Sequence, residues 1–464
     1  MKIILLALYL FPAIIICQGT VDFSGTVNYY YISRLSDGSL INLPFRIAKF
    51  TIQKEQDNFS IYSNLAMEYR IPSDSHFLDN TSPQDFSWEL LELYLTWQLK
   101  NTEIRIGKQI HSWGSTDGNS PVDNLNANDY YYLFESGAEQ KIGAFSTAVD
   151  YFLDSWKFGL SISPIHQTNR LPINDPEFPV DLPVSPRSSQ IIEVDNPIEV
   201  GGFITKSFNK GDVTLSYFNG HDRIFSLSGA NVYTDNNYNK LDTVFCYRKT
   251  EMIGFGGVFF LGNLTLRGDL AYFNTKDPND SIDDREYTDL HAIRFGYESE
   301  YTTIRESHPF LVNAEYYQLN LQFEYDFFWD INIAGQYIKY DTLKYSDNPP
   351  PIIELPNFDS DIKPSDVFAP GMGIPIASLS KNVVLLDLTK TLYDNQVELS
   401  LRTMIDQVYS GKLIELGFGY DISEAIKCYL AINKIIGDTS ADEMYTFNHM
   451  EDFSHIRLEL RYFY

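Results

Sequence analysis

The sequence predicts an all-β fold, a transmembrane antiparallel β-barrel of about 18 strands with short periplasmic turns and long outer loops. Three features predict it. Apolar and polar residues alternate with a period of two along much of the chain. The connections between these stretches are short and long by turns, and the last stretch is alternating and aromatic-rich.

The chain opens as an export address. Met1-Lys2 gives a short positive region, Ile3 to Ile16 is an apolar run containing Pro12, and Cys17-Gln18-Gly19 leads into polar sequence. This is the layout of a secretory signal, with cleavage expected near Gly19. Residues 1–19 are therefore assigned to the signal and 20–464 to the barrel. Nothing later approaches ~18 consecutive apolar residues, so no transmembrane helix is expected.

The first strand follows directly, with Val21, Phe23, Val27, Tyr29 and Tyr31 on one face. Further on, Leu91, Leu93, Leu95, Trp97 and Leu99 oppose Glu92, Tyr94, Thr96 and Gln98. The clearest stretch sets Leu319, Leu321, Phe323, Tyr325 and Phe327 against Gln318, Asn320, Gln322, Glu324 and Asp326. Successive strand side chains point to opposite faces, so each ribbon has one apolar and one polar side. A soluble sheet would alternate too, but these stretches exceed the ~5–6 residues usual in soluble strands. They are long enough for the ~9–11 residues that cross a bilayer.

Short turns fall at Glu55–Asn58, Lys100–Thr102, Asp154-Ser155, Asn209–Asp212, Gly262-Asn263, Phe328–Asp330, Tyr393–Asn395 and Asp421–Glu424. Long polar connections lie between them, about Trp113–Ile142, Ile165–Glu199, Asp222–Arg248, Lys276–His308 and Thr342–Lys381. Eight short turns with both ends periplasmic give nine hairpins, hence 18 strands. Sixteen is the alternative, because the stretches around 44–54 and 143–153 alternate poorly. The final strand sets Ile456, Leu458, Leu460, Tyr462 and Tyr464 against Arg457, Glu459 and Arg461. A terminal aromatic in phase with the apolar face resembles the signal by which bacterial barrels are recognised for assembly.

A charge facing lipid at the bilayer midplane costs roughly 2–4 kcal/mol, so the charged face must line the interior. That reading makes Arg105, Gln109, His111, Arg267, Asp269 and Glu324 pore-lining, together with Asp326, Glu398, Arg402, Arg457, Glu459 and Arg461. The interior is thus of mixed sign, although the whole chain carries a net charge of −27. Much of the excess acid is expected in outer loops such as Asp277 to Glu286, where it would raise the local cation concentration. The aromatic content of 15% suits the girdles of a membrane barrel, since Tyr has an apolar ring and a polar tip.

The loop after the strand ending near Gln109 is about thirty residues long and carries Trp113, Asp117, Asp123, Asp129 and Glu135. These five are the constriction-loop candidates, on the analogy of porin loops that fold inward. The alternative is an outward loop held by Trp113 packing and Asx turns at Asp117 and Asn119. Asp123, Asn126 and Asp129 offer oxygen ligands, but without the spacing of a calcium loop a solvated polar segment is expected. The run Gly107-Lys108-Gln109 with Trp113-Gly114, Pro121 and Asp123 resembles an uncharacterised family of Gram-negative outer-membrane barrels. Its members carry G-R-Q-x-x-x-W-G-E followed by N-P-x-D; this chain departs at Lys108, Ser115 and Ser120. The resemblance covers about Leu91–Pro164 and implies an outer-membrane barrel, without supplying a substrate.

No G-x-S-x-G elbow, H-E-x-x-H or phosphate-cradling loop is present, so no enzyme activity is expected. Neither a metal nor a cofactor is expected, since Cys246 and Cys428 are far apart and no Cys/His cluster has ligand spacing. The acidic balance argues against nucleic acid as a partner, since phosphates would be repelled. A barrel of 16–18 strands leaves an aqueous lumen. The expected role is therefore a porin-like channel in the cell outer membrane for passive passage of small hydrophilic solutes or ions. The alternative is a non-conducting barrel for envelope assembly or surface binding. Its expected partners are outer-membrane lipid and lipopolysaccharide, the barrel-assembly machinery through the C-terminal strand, and small solutes. A homotrimer is compatible with this reading. The Pro-rich loops Pro172–Pro197 and Pro349–Pro375 could cap the mouth, fold into the lumen or bind a partner at the surface.

Overall fold

The computed structural model describes residues 21–69, 86–134, 140–173, 175–180, 186–235, 238–278, 282, 304–348, 368–441 and 445–464. The expected export signal and Glu135 lie outside these residues.

In chain order the strands are β1 (Val21–Arg34), β2 (Phe45–Gln56), β3 (Phe59–Tyr69), β4 (Phe86–Leu99), β5 (Thr102–Gln109), β6 (Ala127–Asn128) and β7 (Lys141–Ile142). Next come β8 (Ala144–Leu153), β9 (Trp156–Ser163), β10 (Glu199–Phe208), β11 (Gly211–His221), β12 (Ser226–Asp235), β13 (Tyr238–Cys246), β14 (Lys249–Leu261) and β15 (Leu264–Lys276). The last are β16 (Ile304–Pro309), β17 (Asn313–Phe327), β18 (Ile331–Ser346), β19 (Asn382–Leu392), β20 (Val397–Asp406), β21 (Lys412–Ser423), β22 (Ile426–Ile436) and β23 (His455–Phe463). All but β6, β7, β12, β13 and β16 belong to one 18-stranded antiparallel sheet, which closes where β1 pairs with β23 in the register Thr26↔Phe463 to Arg34↔His455. Tyr464 packs across this seam on the outer face, against Phe23 and Phe50, and its hydroxyl donates to the Lys49 carbonyl.

Each of the eight short turns falls where the sequence placed it. Left-handed backbone at Asp57, Lys100, Asp154, Gly262, Trp329, Asp330 and Tyr393 to Asn395 makes several of these tight reversals. The weakly alternating stretches form strands β2 and β8, which fixes the count at 18 rather than 16.

The wall is apolar outside and polar inside. On β17, Leu321 and Phe323 are 49% and 38% exposed, while Asn320 and Gln322 between and beside them are 0% and 5% exposed. Outward Leu, Ile, Phe, Trp and Tyr recur around the ring, including Trp88, Ile106, Leu160, Leu215, Phe255, Leu416 and Leu460. So large an apolar surface is what lipid covers in a membrane barrel. Among the described residues no helix is long and apolar enough to cross a membrane.

Two sequence expectations are corrected. Leu91 does not share the outward row with Leu95 and Trp97: it is buried at 6% exposure. The β3–β4 pairing slips between Asn64 and Leu65, leaving Leu91 as a bulged residue, and the outward row above it becomes Phe86 and Trp88. One extra residue inverts every side chain beyond it, which alternation alone does not reveal. The connections Asp222–Arg248 and Lys276–His308 are also more than loops, since β12, β13 and β16 form a separate three-stranded sheet. Their polar sequence lacks the apolar face that marks a wall strand.

The loop end of the lumen holds a hydrophobic core. Tyr130, Leu133, Leu171, Ile173, Phe225, Tyr247, Ile374, Ile376, Leu379, Phe447 and Met450 come from loops. They pack on Ile338, Val383, Met404, Leu413 and Ile435 from the inner wall. Along β20 the inward row runs Glu398, Ser400, Arg402, Met404, and along β22 it runs Lys427, Tyr429, Ala431, Asn433, Ile435. On the β18–β22 side the interior therefore has two zones, charged toward the short turns and apolar toward the loops.

Candidate functional site: the loop across the lumen

The segment after β5 enters the barrel. Its root is fixed by buried polar contacts: Asn126 Oδ1 accepts from the His111 N–H at 2.7 Å, and its amide donates to the Ile142 carbonyl at 2.8 Å. Asp123 accepts from the backbone N–H groups of Trp113 and Gly114, the latter at 2.8 Å, and pairs with Lys141 at 2.6 Å. Trp113 lies against Phe203 and over Gly201, where a Cβ would stand 2.3 Å from the indole ring, so only glycine fits beneath it.

From this root the tip Ser115–Asn119 reaches the far wall. Asp269 on β15 accepts from the Ser115 N–H at 2.9 Å, and from the Thr116 N–H and hydroxyl at 2.8 and 2.7 Å. Gln322 on β17 accepts from the Asp117 N–H and donates to its carboxylate, both at 2.8 Å. Gln336 on β18 donates to the Asp117 carbonyl at 2.9 Å, and Asn320 donates to the Asn119 carbonyl at 2.8 Å. Around the ring, β5 is the fifth strand while β15, β17 and β18 are the eleventh to thirteenth, six to eight steps away. Half the circumference is nine steps, so the tip crosses most of the lumen. A cavity of about 560 Å³ remains against β1–β4, lined by Thr26, Thr51, Tyr62, Asn64 and Glu92 of the wall and by Ile110 and Lys141 of the loop root, among others.

The structure distributes the sequence-derived residues unevenly. Asp117, Asp123 and Trp113 belong to the crossing loop, as just described. Asp129 lies deeper, accepting from Arg170 at 3.2 Å and from the Tyr131 N–H at 3.1 Å in a cluster with Arg46, Glu68 and Glu89. Burial, added to by Glu68, raises the Asp129 carboxyl to about 6. Asp123, Asn126 and Asp129 thus bind different partners instead of converging. Gln109 and His111 are sealed under the loop root, where His111 Nε2 lies 2.8 Å from Ser146 Oγ and burial pushes the imidazole down to about 3. Asp269 is equally covered, as the anchor of the tip.

The remaining charges form ion pairs on the inner wall. Arg105 meets Asp150 at 3.1 Å, Arg267 meets Glu324 at 3.0 Å, and Lys427 meets Glu398 at 2.7 Å. Arg402 bonds Asp387 at 2.9 Å, Arg457 lies 3.5 Å from Glu415, and Arg461 pairs with Glu459. Asp326 sits near the short-turn end, accepting from Asn332 at 2.7 Å.

Sequence reasoning missed the ties among the loops. Arg223, fully buried, donates to both Glu199 oxygens at 3.0 and 2.7 Å and to the carbonyls of Asn124 and Gln167 at 2.8 and 3.0 Å. The Gly371 carbonyl accepts from the Arg223 and Ile224 N–H groups at 2.8 and 3.0 Å, and Gln318 bonds both Met372 and Ile374. The described part of the second Pro-rich loop is thereby packed inward; of the first, Ile173 and Phe178 are buried, whereas Glu193, Asp195 and Asn196 are exposed. A charged residue just beyond a strand end, as in His221-Asp222-Arg223, was the available signal.

Asp222 gives this packing a pH dependence. Burial raises its carboxyl from about 3.8 to about 6, with the hydroxyls of Thr250 and Thr275 partly offsetting the shift. A carboxyl raised on packing stabilises the packed state fully below its ordinary value, and that contribution is lost as pH rises through about 6. Hydrogen exchange of residues 222–225 and 370–374 is expected to be slower at pH 5 than at pH 7.5, after correction for intrinsic rates. Asp222→Asn should remove the difference; an unchanged difference refutes the assignment.

No family model matches this chain, and no curated protein is similar to it in sequence. Solved structures of similar shape include Acinetobacter baumannii OccAB2, at 10% identity and a TM-score of 0.47, covering 96% of this chain and 98% of that one. Pseudomonas aeruginosa OccK8 (OprE) aligns at 11% identity and 0.46, covering 96% and 97%. The Salmonella typhi OmpF complex with daunomycin aligns at 10% identity and 0.39, covering 96% and 98%.

Proposed function

We propose that this chain is a porin-like channel of the outer membrane, passing small hydrophilic solutes or ions through a lumen narrowed by its own 110–142 loop. The observation that carries this reading is the tip Ser115–Asn119 bonded across the lumen to β15, β17 and β18. An 18-stranded ring is wide enough for an aqueous path, and a crossing segment converts that width into a selective aperture. The cavity beside β1–β4 is the passage we assign. Export through the 1–19 signal, assembly through the C-terminal strand, lipopolysaccharide contact, trimer formation and kinship with the G-R-Q-x-x-x-W-G barrels belong to the same reading.

One observation favours the rival, a non-conducting barrel for envelope assembly or surface binding: the apolar core at the loop end stands in the path. Planar bilayers separate the two. Refolded chain should give stepwise conductance; correctly folded protein that stays silent supports the rival.

Cation preference is the accompanying expectation. The wall charges named above pair with one another, while the Asp117 carboxylate at the tip is 61% exposed although it lies 3.7 Å from Arg267. Reversal potentials in a KCl gradient should show modest cation preference, reduced in Asp117→Asn. Clear anion preference of the unaltered chain would reject it.

A further inference from the structure

One group of side chains gathers at the rim where wall strands meet the loops. His166 follows the end of β9, Glu199 opens β10 and His221 closes β11, so three consecutive wall strands bring them to the same loop-side rim. The two imidazole rings meet edge to face with centroids 5.5 Å apart. One nitrogen of each ring and one Glu199 oxygen all lie within 4.8 Å of one another. The side chains of His166 and Glu199 are 6% and 1% exposed, and His221 is 8% exposed.

The hydrogen bonds show which atoms are engaged. His166 Nδ1 lies 2.9 Å from Glu199 Oε1, which also accepts from Arg223 at 3.0 Å and from the His221 N–H at 3.3 Å. With Nδ1–H donating to Glu199, the His166 Nε2 lone pair has no partner, and His221 Nδ1 is likewise buried without one. Buried polar atoms are as a rule satisfied, so an orphaned nitrogen on each of two rings 5.5 Å apart calls for a partner. Imidazole ligates metal in its uncharged form. A carboxylate on the opposite ring nitrogen is the arrangement that orients metal-binding histidines. Arg223 pairs with Glu199 and approaches His166 at Nδ1, 3.3 Å away, not at Nε2. The other carboxylate-rich group, Glu68, Glu89 and Asp129, offers oxygens alone and is already paired with Arg46 and Arg170.

We propose that His166 and His221, oriented by Glu199, bind a divalent transition-metal ion of the zinc, nickel or copper class. Imidazole donors favour these ions over calcium and magnesium, which take oxygen. Bound there, the ion joins the loop following β9 to the end of β11.

The test uses the untagged full-length barrel refolded in detergent, titrated with Zn²⁺ by calorimetry and with Cu²⁺ by electron paramagnetic resonance. One saturable Zn²⁺ equivalent is expected, with copper spectra showing couplings to two imidazole nitrogens. The double variant H166A/H221A should lose this equivalent while keeping the folded mobility of the barrel in unheated gels. Zn²⁺ binding that is equally tight in the folded double variant overturns the proposal. So does a first copper equivalent without imidazole couplings, a measurement on the unaltered chain that needs no variant to fold.

Discussion

Deleting Ser115–Asn119 is expected to raise the single-channel conductance about threefold or more, because an 18-stranded ring without a crossing segment is a wide pore. The deletion is geometrically mild. Gly114 and Ser120 already touch, a Cβ on Gly114 falling 1.8 Å from Ser120 Oγ, so the five residues between them form a closed excursion whose ends can be joined. What is lost is the set of bonds to Asp269, Gln322, Gln336 and Asn320. Hydrogen bonds to a charged group contribute roughly 1.5–3 kcal/mol each, so Asp269 is the strongest of these anchors. Asp269→Ala should accordingly leave the tip present but loosely held, and give flickering between the two conductance levels. The root contacts of Asp123, Asn126 and Lys141 lie outside the excursion and keep the remainder of the loop in place. Conductance equal to that of the unaltered chain in a folded deletion variant would show that the tip is not the narrowest point.

The wall was legible because lipid imposes a strict rule on it: every second residue must be apolar, and breaks in the pattern must be turns. Gln318–Phe327 and the eight short turns obey that rule, and each lies where alternation and turn chemistry put it. Leu91 shows the limit. A bulge is set by pairing with β3, and nothing in the sequence of β4 alone marks it. The crossing of the lumen is legible only in part. Trp113, Asp117 and Asp123 stand out as a polar loop with one large ring, but Asp269 and Gln322, which hold Ser115 to Asp117 of its tip, are more than 140 residues distant in sequence. Inside a barrel, polar side chains have no periodic constraint beyond facing inward, so which of them meet is decided by loop conformations that no local pattern encodes. The apolar loop core was missed for a related reason. Met404, Leu413 and Ile435 lie on the inward rows, where alternation leads one to expect polar residues, and they become intelligible only once the loops pack on them.

The largest effect on that loop packing is expected from Arg223→Met. Removing one partner of a buried ion pair costs about 3–5 kcal/mol, because the other charge is left uncompensated. Here Glu199 would keep only His166 and one backbone N–H, and the carbonyls of Asn124, Leu125 and Gln167 would lose their donor together. Those carbonyls belong to two different loops, so their release should loosen both while the ring, held by its own strand ladder, remains closed. Hydrogen exchange in residues 124–133 and 167–173 should accelerate by orders of magnitude, and open-channel current should become noisier. Arg223→Lys should fall between, since one ammonium keeps the charge but cannot span both carboxylate oxygens and the carbonyls. Pairing the change with Glu199→Leu separates charge from shape. If the buried carboxylate causes most of the damage, the double variant recovers protection relative to Arg223→Met. If the orphaned carbonyls cause it, the second substitution changes nothing. Protection left intact in the single variant would mean that the apolar contacts of Leu171, Phe225 and Tyr247 hold the loops without the arginine.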